Sequence, residues 1–375
     1  YRSPGISDIV SSKRVFGTGS RSEVDFPTAP AAASLTIRGF WPRSRCLLWR
    51  DRPPAKSPIS ASGMDSDPHL ADLVAPLRDD VVSGASALSR TAADVLRRAA
   101  VRIQAGSLEE LRWGLGEMSR LILDAQPAMA PLVTLVRDVL SAVETVDTLE
   151  AGRHAAANAA DRFRSSLDDR VAAVAAAAAE LLPSGGTVAT VSSSATVRYL
   201  LEAEAAPRGL AVLCFESRPV NEGRDLARAL AEGGVDVRYA VDAAAHLLVR
   251  ECDAVFFGAD SIGDQGVVNK IGSAIIAHSA RAAAVPVVVL ADDTKILPRG
   301  FPQALDDDRP AGEVWNAPDG VAVWNRYFEA VPMEYVTWVV TEDGPLPPSA
   351  LQERREVLDL PVGLRAWARS RSRAG

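Results

Sequence analysis

Thr187-Val188-Ala189-Thr190-Val191-Ser192-Ser193-Ser194 is a strand-and-turn unit that sets the pattern for the second half of the chain. Its first five residues form a short apolar, β-branched run, the signature of a buried strand. The run follows Pro183-Ser184-Gly185-Gly186, a cluster of turn formers. Three serines end it, and a helical pattern starts at Ala195. The same alternation repeats downstream. Candidate strands cover 187–191, 211–215, 235–241, 254–258, 285–290 and 335–341, with candidate helices at 195–205, 222–232, 243–250 and 271–284. Continuous apolar strands separated by helices predict a parallel sheet covered on both faces. The fold class is α/β, with the sheet domain over 183–375.

Upstream the period changes. Leu70, Leu73, Val74 and Leu77 follow the i, i+3, i+4, i+7 spacing of an amphipathic helix. Further helices are expected over 83–102, 107–125, 131–148 and 155–182. Ser107 with Glu110 three residues on forms a capping-box pattern. Pro127 and Pro131 interrupt the run. A helical N-terminal domain over 64–182 follows. Residues 1–63 differ from both regions. They hold ten Lys/Arg against four Asp/Glu, a net of +6 against −13 for the remainder. With no sustained hydrophobic period, the segment reads as disordered, or as an extension ahead of a true start at Met64. A transit peptide has a similar composition.

The net charge of −7 over 375 residues argues against a general nucleic-acid surface, which needs clustered basic charge. Cys46, Cys214 and Cys252 are widely spaced and form neither a zinc motif nor a disulfide framework, which fits a reducing cytoplasm. No apolar run is long enough to span a bilayer. No metal site and no cofactor are expected. Neither a dinucleotide fingerprint nor a P-loop is present. Lys13, Lys56, Lys270 and Lys295 are the only lysines.

In parallel α/β folds, ligands bind at the carboxyl ends of the strands. The predicted ends carry Ser192-Ser193-Ser194, then Glu216-Ser217-Arg218-Pro219 with Asn221-Glu222-Gly223, then Asp242, then Gly258-Ala259-Asp260, then Asp292-Asp293-Thr294-Lys295. Asn269-Lys270-Ile271-Gly272 is expected to open a helix, with Lys270 at its N-terminus. Singly, each of these residues reads as a cap or a surface ion pair. Together on one sheet edge they suggest a phosphate site, because helix N-termini and cationic side chains both favour anions. Asp260 would then serve as proton acceptor or hydroxyl partner.

The ordered set of Glu216-Ser217-Arg218-Pro219, Asn221-Glu222-Gly223, Asp242-Ala243-Ala244, Gly258-Ala259-Asp260-Ser261-Ile262 and Asn269-Lys270-Ile271-Gly272 resembles the regulatory subunits of eukaryotic initiation factor 2B. It equally resembles their metabolic relatives, ribose-1,5-bisphosphate isomerase and methylthioribose-1-phosphate isomerase. The resemblance covers 187–344. It implies a helical N-terminal domain on a Rossmann-like C-terminal domain, assembled as a dimer or hexamer. It also implies that Asp260 moves protons, and that Asn269, Lys270 and Lys295 hold substrate.

Two departures from that pattern bear on activity. The isomerase cysteine falls at Ser192, and an Arg-Pro phosphate contact falls at Gln126-Pro127, with Arg137 or Arg198 as possible substitutes. The expected site is therefore Asp260 and Ser192 for catalysis, with Ser194, Arg218, Asn269, Lys270 and Lys295 for binding. The first reading is a protein binding a phosphorylated sugar or nucleotide without the thiol chemistry. The alternative is an aldose–ketose isomerase of a phosphorylated sugar using Asp260.

Overall fold

The computed structural model describes residues 68–80, 83–305, 308–356, 358, 360–361, 364–365 and 367–369. The expectation for 1–63 lies outside them. Five helices come first: α1 (Pro68–Arg78), α2 (Ala85–Arg102), α3 (Leu108–Ala125), α4 (Ala130–Glu144) and α5 (Leu149–Ala178). Ser107 caps α3 and Thr148 caps α5, each hydroxyl accepting from a first-turn amide. The expected break at Pro127 falls between α3 and α4.

The alternating part then runs β1 (Gly186–Val191), α6 (Ala195–Glu204), β2 (Leu210–Phe215), α7 (Gly223–Glu232), β3 (Asp236–Ala240), α8 (Ala245–Leu248) and β4 (Ala254–Gly258). It continues through β5 (Ser261–Gly263), β6 (Gly266–Lys270), α9 (Ser273–Ala282), β7 (Val287–Leu290), β8 (Phe328–Val331), β9 (Trp338–Thr341), β10 (Gly344–Leu346) and α10 (Pro348–Glu356). The main sheet has the order β10-β9-β7-β4-β1-β2-β3, parallel except for β10. The order reverses between β1 and β4, so the crevice at their carboxyl ends is the topological switch point. All six predicted strands belong to this sheet.

Period-two alternation divides the sheet residues between two cores. Ala189, Val191, Leu213, Phe215, Val255 and Phe257 meet α8 and α9 on one face. Val188, Val212, Cys214, Phe256 and Val288 meet α6, α7 and the last turns of α5 on the other. The first half of α5 lies in the helical core through Ala156, Ala160 and Phe163. That core also takes in Val268, Leu297, Tyr327 and Phe328 from the α/β part.

Asn269 and Lys270 do not open a helix. They end β6, the middle strand of a second, antiparallel sheet β5-β6-β8. β6 starts where a Cβ at Gly266 would lie 2.2 Å from the Val331 carbonyl oxygen, at a φ of 108°. Only glycine permits that approach. The partner strand β8 is about sixty residues downstream, so no local pattern announces the pairing. Among the described residues, no helix is long and apolar enough to cross a membrane.

Candidate functional site

The segment leaving β1 enters the crevice first. Ser192 sits at φ 64°, in the left-handed region, and turns the chain sharply toward α6. Non-glycine residues held there cost about 1–3 kcal/mol and cluster at functional sites. Ser194 is the N-cap residue of α6, yet its side chain makes no capping bond. It packs instead against β4: a Cβ added at Gly258 would lie 2.5 Å from Ser194 Oγ. Glycine at 258 therefore lets the two strand ends close on each other at the switch point.

Asp260 follows, half-buried. Its amide donates to the Val268 carbonyl at 2.8 Å, and its carbonyl accepts from the Ala130 amide at 3.1 Å. These bonds tie it to β6 and to the start of α4. Lys295 comes from a single 3-10 turn after β7. Asp292 caps that turn through the Thr294 amide at 3.0 Å, and Thr134 of α4 donates its hydroxyl to the Thr294 carbonyl at 3.1 Å. The Lys295 side chain is buried, at 6% exposure, and makes no hydrogen bond or ion pair among the described residues. The stem is buried while the ammonium reaches the cavity with no counter-charge bonded to it among the described residues, which leaves it available to an anion.

Lys270 differs. Its Nζ lies 2.7 Å from Glu222 Oε1, with both side chains largely buried, and 4.7 and 4.9 Å from the Tyr327 and Phe328 ring centroids. Asn269 is buried beside it and donates to Ser273 Oγ at 2.8 Å.

Ser192, Ser194, Asp260, Asn269, Lys270 and Lys295 all line one cavity of ≈ 450 Å³. Arg218 does not. The Asp242 carboxylate accepts from the Ser217 and Arg218 amides at 2.8 and 2.7 Å, and the Arg218 guanidinium donates to the Val314 carbonyl at 3.2 Å. These bonds turn Arg218 into a separate cleft of ≈ 370 Å³, beside Trp324 and Glu329. At the N-terminus of α9, Glu329 Oε1 accepts from the Ala274 amide at 2.8 Å, so a protein carboxylate already takes that donor.

Sequence reasoning missed the fourth wall, where residues 83–87 and Arg90 bring the start of α2 to the cavity. Gly84 is the N-cap residue there, with no side-chain capping bond. The helices whose N-cap residues line the cavity, α2, α4, α6 and α7, have no side-chain cap, whereas α3 and α5 are capped by hydroxyls. Free first-turn amides and the positive dipole end suit a phosphate. The missing side-chain cap at Ser83-Gly84 was the available signal. Gln126 is not part of the wall. It is buried and donates to the Leu77 and Asp80 carbonyls at 2.8 and 3.0 Å, closing the end of α1. Arg198 lines the cavity while paired to Glu202 at 2.7 Å; Arg137 pairs with Asp138 and faces a different, smaller hollow. Burial pushes the thiols of Cys214 and Cys252 up to about 12, and neither lines the cavity.

Residues 81–348 match the model of the initiation factor 2 subunit family, IF-2B. The chain belongs to this family. Among its relatives, the ribose 1,5-bisphosphate isomerase of Methanocaldococcus jannaschii is 29% identical over 274 residues, covering 71% of this chain and 88% of that one. The protein of the same name from Haloterrigena turkmenica is 31% identical over 311 residues, covering 76% and 94%. The crystal structure of the Pyrococcus horikoshii translation initiation factor eIF-2B superposes with a TM-score of 0.65 at 25% identity, covering 75% of this chain and 98% of that one. IF-2B membership thus joins metabolic enzymes and translation factors on one fold.

Proposed function

We propose that this IF-2B protein binds a phosphorylated pentose of the ribose 1,5-bisphosphate type in the 450 Å³ cavity and isomerises it, with Asp260 as general acid/base. The observation that carries the reading is Lys295, a cation without a partner among the described residues, in one cavity with Asp260 and the uncapped starts of α2 and α6. Lys295 and the helix starts, beside a carboxylate, suit a sugar bearing phosphate at both ends. The isomerase relatives support the same substrate class. In this reading Ser192 and Ser194 face the ligand, Asn269 and Lys270 hold it, and the protein works in a reducing cytoplasm as a homo-oligomer.

The second reading, binding without turnover, is favoured by one observation. Ser192 stands where the resemblance has a thiol, and no cysteine among the described residues lines the cavity. Incubating the protein with ribose 1,5-bisphosphate, beside Asp260→Asn, separates the two. The isomerase reading expects ribulose 1,5-bisphosphate from the wild type and a loss of about 10²–10⁴-fold in the variant. Turnover that survives in Asp260→Asn ends the role of Asp260. Binding with no turnover in the wild type leaves the second reading.

A further inference from the structure

Isomerising a cyclic 1,5-bisphosphate relocates two hydrogens in four proton transfers. C2 and its hydroxyl each lose one; the ring oxygen and C1 each gain one. One carboxylate handles the carbon-bound pair. A second group must protonate the ring oxygen as the C1–O bond breaks, then take the proton from the C2 hydroxyl. A serine hydroxyl is a poor acid for this step. An ammonium, with a reference pKa of about 10.4, is a far better one.

The cavity holds two ammonium groups in different settings. Lys295 has no partner among the described residues and suits a phosphate. Lys270 is already neutralised and aimed. Glu222 Oε1 holds its Nζ at 2.7 Å, and the Tyr327 and Phe328 rings confine it at 4.7 and 4.9 Å. Such a clamp spends little attraction on a further anion but fixes where the N–H bonds point. Glu222 is itself anchored. The neighbouring Gly223 packs so tightly that a Cβ there would lie 2.0 Å from the Phe215 carbonyl oxygen.

We propose that Lys270 is the second acid–base residue, standing in for the absent thiol, with Glu222 as its positioning residue. The inference rests on the isomerase reading above. Asp260 removes the C2 proton while Lys270 protonates the ring oxygen, and the C1–O bond opens to an enol phosphate. Protonated Asp260 then delivers its proton to C1, and the neutral Lys270 amine takes the C2 hydroxyl proton. The C2 carbonyl forms, and both side chains return to their starting states.

The test measures turnover of ribose 1,5-bisphosphate and its calorimetric binding for wild type, Lys270→Arg, Lys270→Ala, Glu222→Gln and Ser192→Ala. Arginine keeps the charge but surrenders no proton. Lys270→Arg is expected to bind near normally and to lose about 10²–10⁴-fold in kcat. Added methylammonium should restore part of the turnover of Lys270→Ala, which a purely structural lysine would not allow. Glu222→Gln should lower kcat with little change in KM, and Ser192→Ala should cost far less than Lys270→Arg. A Lys270→Arg variant with wild-type kcat, or a Ser192→Ala loss as large as that of Lys270→Arg, overturns this inference alone. A wild type that binds but does not turn over overturns it together with the isomerase reading.

Discussion

A methyl group at Gly258 would fall 2.5 Å from Ser194 Oγ and 2.7 Å from its Cβ. Both strand ends at the switch point would have to part. Overpacking of this kind typically costs about 1–3 kcal/mol. Gly258→Ala should therefore lower the unfolding free energy by about that amount and weaken sugar-phosphate binding as well. Chemical denaturation and calorimetry read the two effects separately. Much of the candidate cavity's lining was legible residue by residue. Ser192, Ser194, Asp260 and Lys295 directly follow apolar strands, and strand ends are where ligands bind in parallel sheets. Arg218 also follows a strand, yet Asp242 binds the loop amides and turns it away. That bond spans about twenty-five residues and has no sequence signature. Arg90 and the uncapped start of α2 lie in the helical region, where amphipathic spacing reports only the buried face.

The small sheet is the element that sequence reasoning misread, and Glu329 of β8 shows how it is held. Its carboxylate reaches across to the first turn of α9 and accepts from the Ala274 amide. Burial pushes this carboxyl above its ordinary value of 4.5, against the pull of the Ala274 and Gly272 amides. The folded state thus holds the proton more tightly than the unfolded chain. The stability this contributes is fully present below 4.5 and is lost as pH rises through the folded-state value. Glu329→Gln keeps an acceptor for the amide and removes the titration. Its melting temperature should match the wild type at low pH and gain on it steadily toward neutrality. A constant difference across that range would show that burial does not control the group. The β6–β8 pairing was hidden for a related reason. Asn269-Lys270-Ile271-Gly272 has a polar start and a glycine, which suits a helix entry as well as a strand end. The choice is made by Gly266 and by a partner strand far along the chain.

Across the whole molecule, the cavity joins regions that sequence analysis treats separately. The helical region supplies the start of α2, the main sheet supplies Ser192 to Ala195, Asp260 and Lys295, and the small sheet supplies Asn269 and Lys270. That the sheet is parallel was legible because buried strands are continuous apolar runs. The joining of helical region to sheet was not, because it depends on α5 serving one core with its first half and another with its last turns. In the proposed function these parts converge to receive a phosphorylated sugar, with Lys295 as the anion's partner. Calorimetric titration of the wild type and Lys295→Met with ribose 1,5-bisphosphate is the sharpest check. Hydrogen bonds to charged groups are worth about 1.5–3 kcal/mol, so saturable binding should weaken by about ten- to hundredfold in the variant. Equal affinity in the two proteins, or no binding by the wild type, would contradict the account.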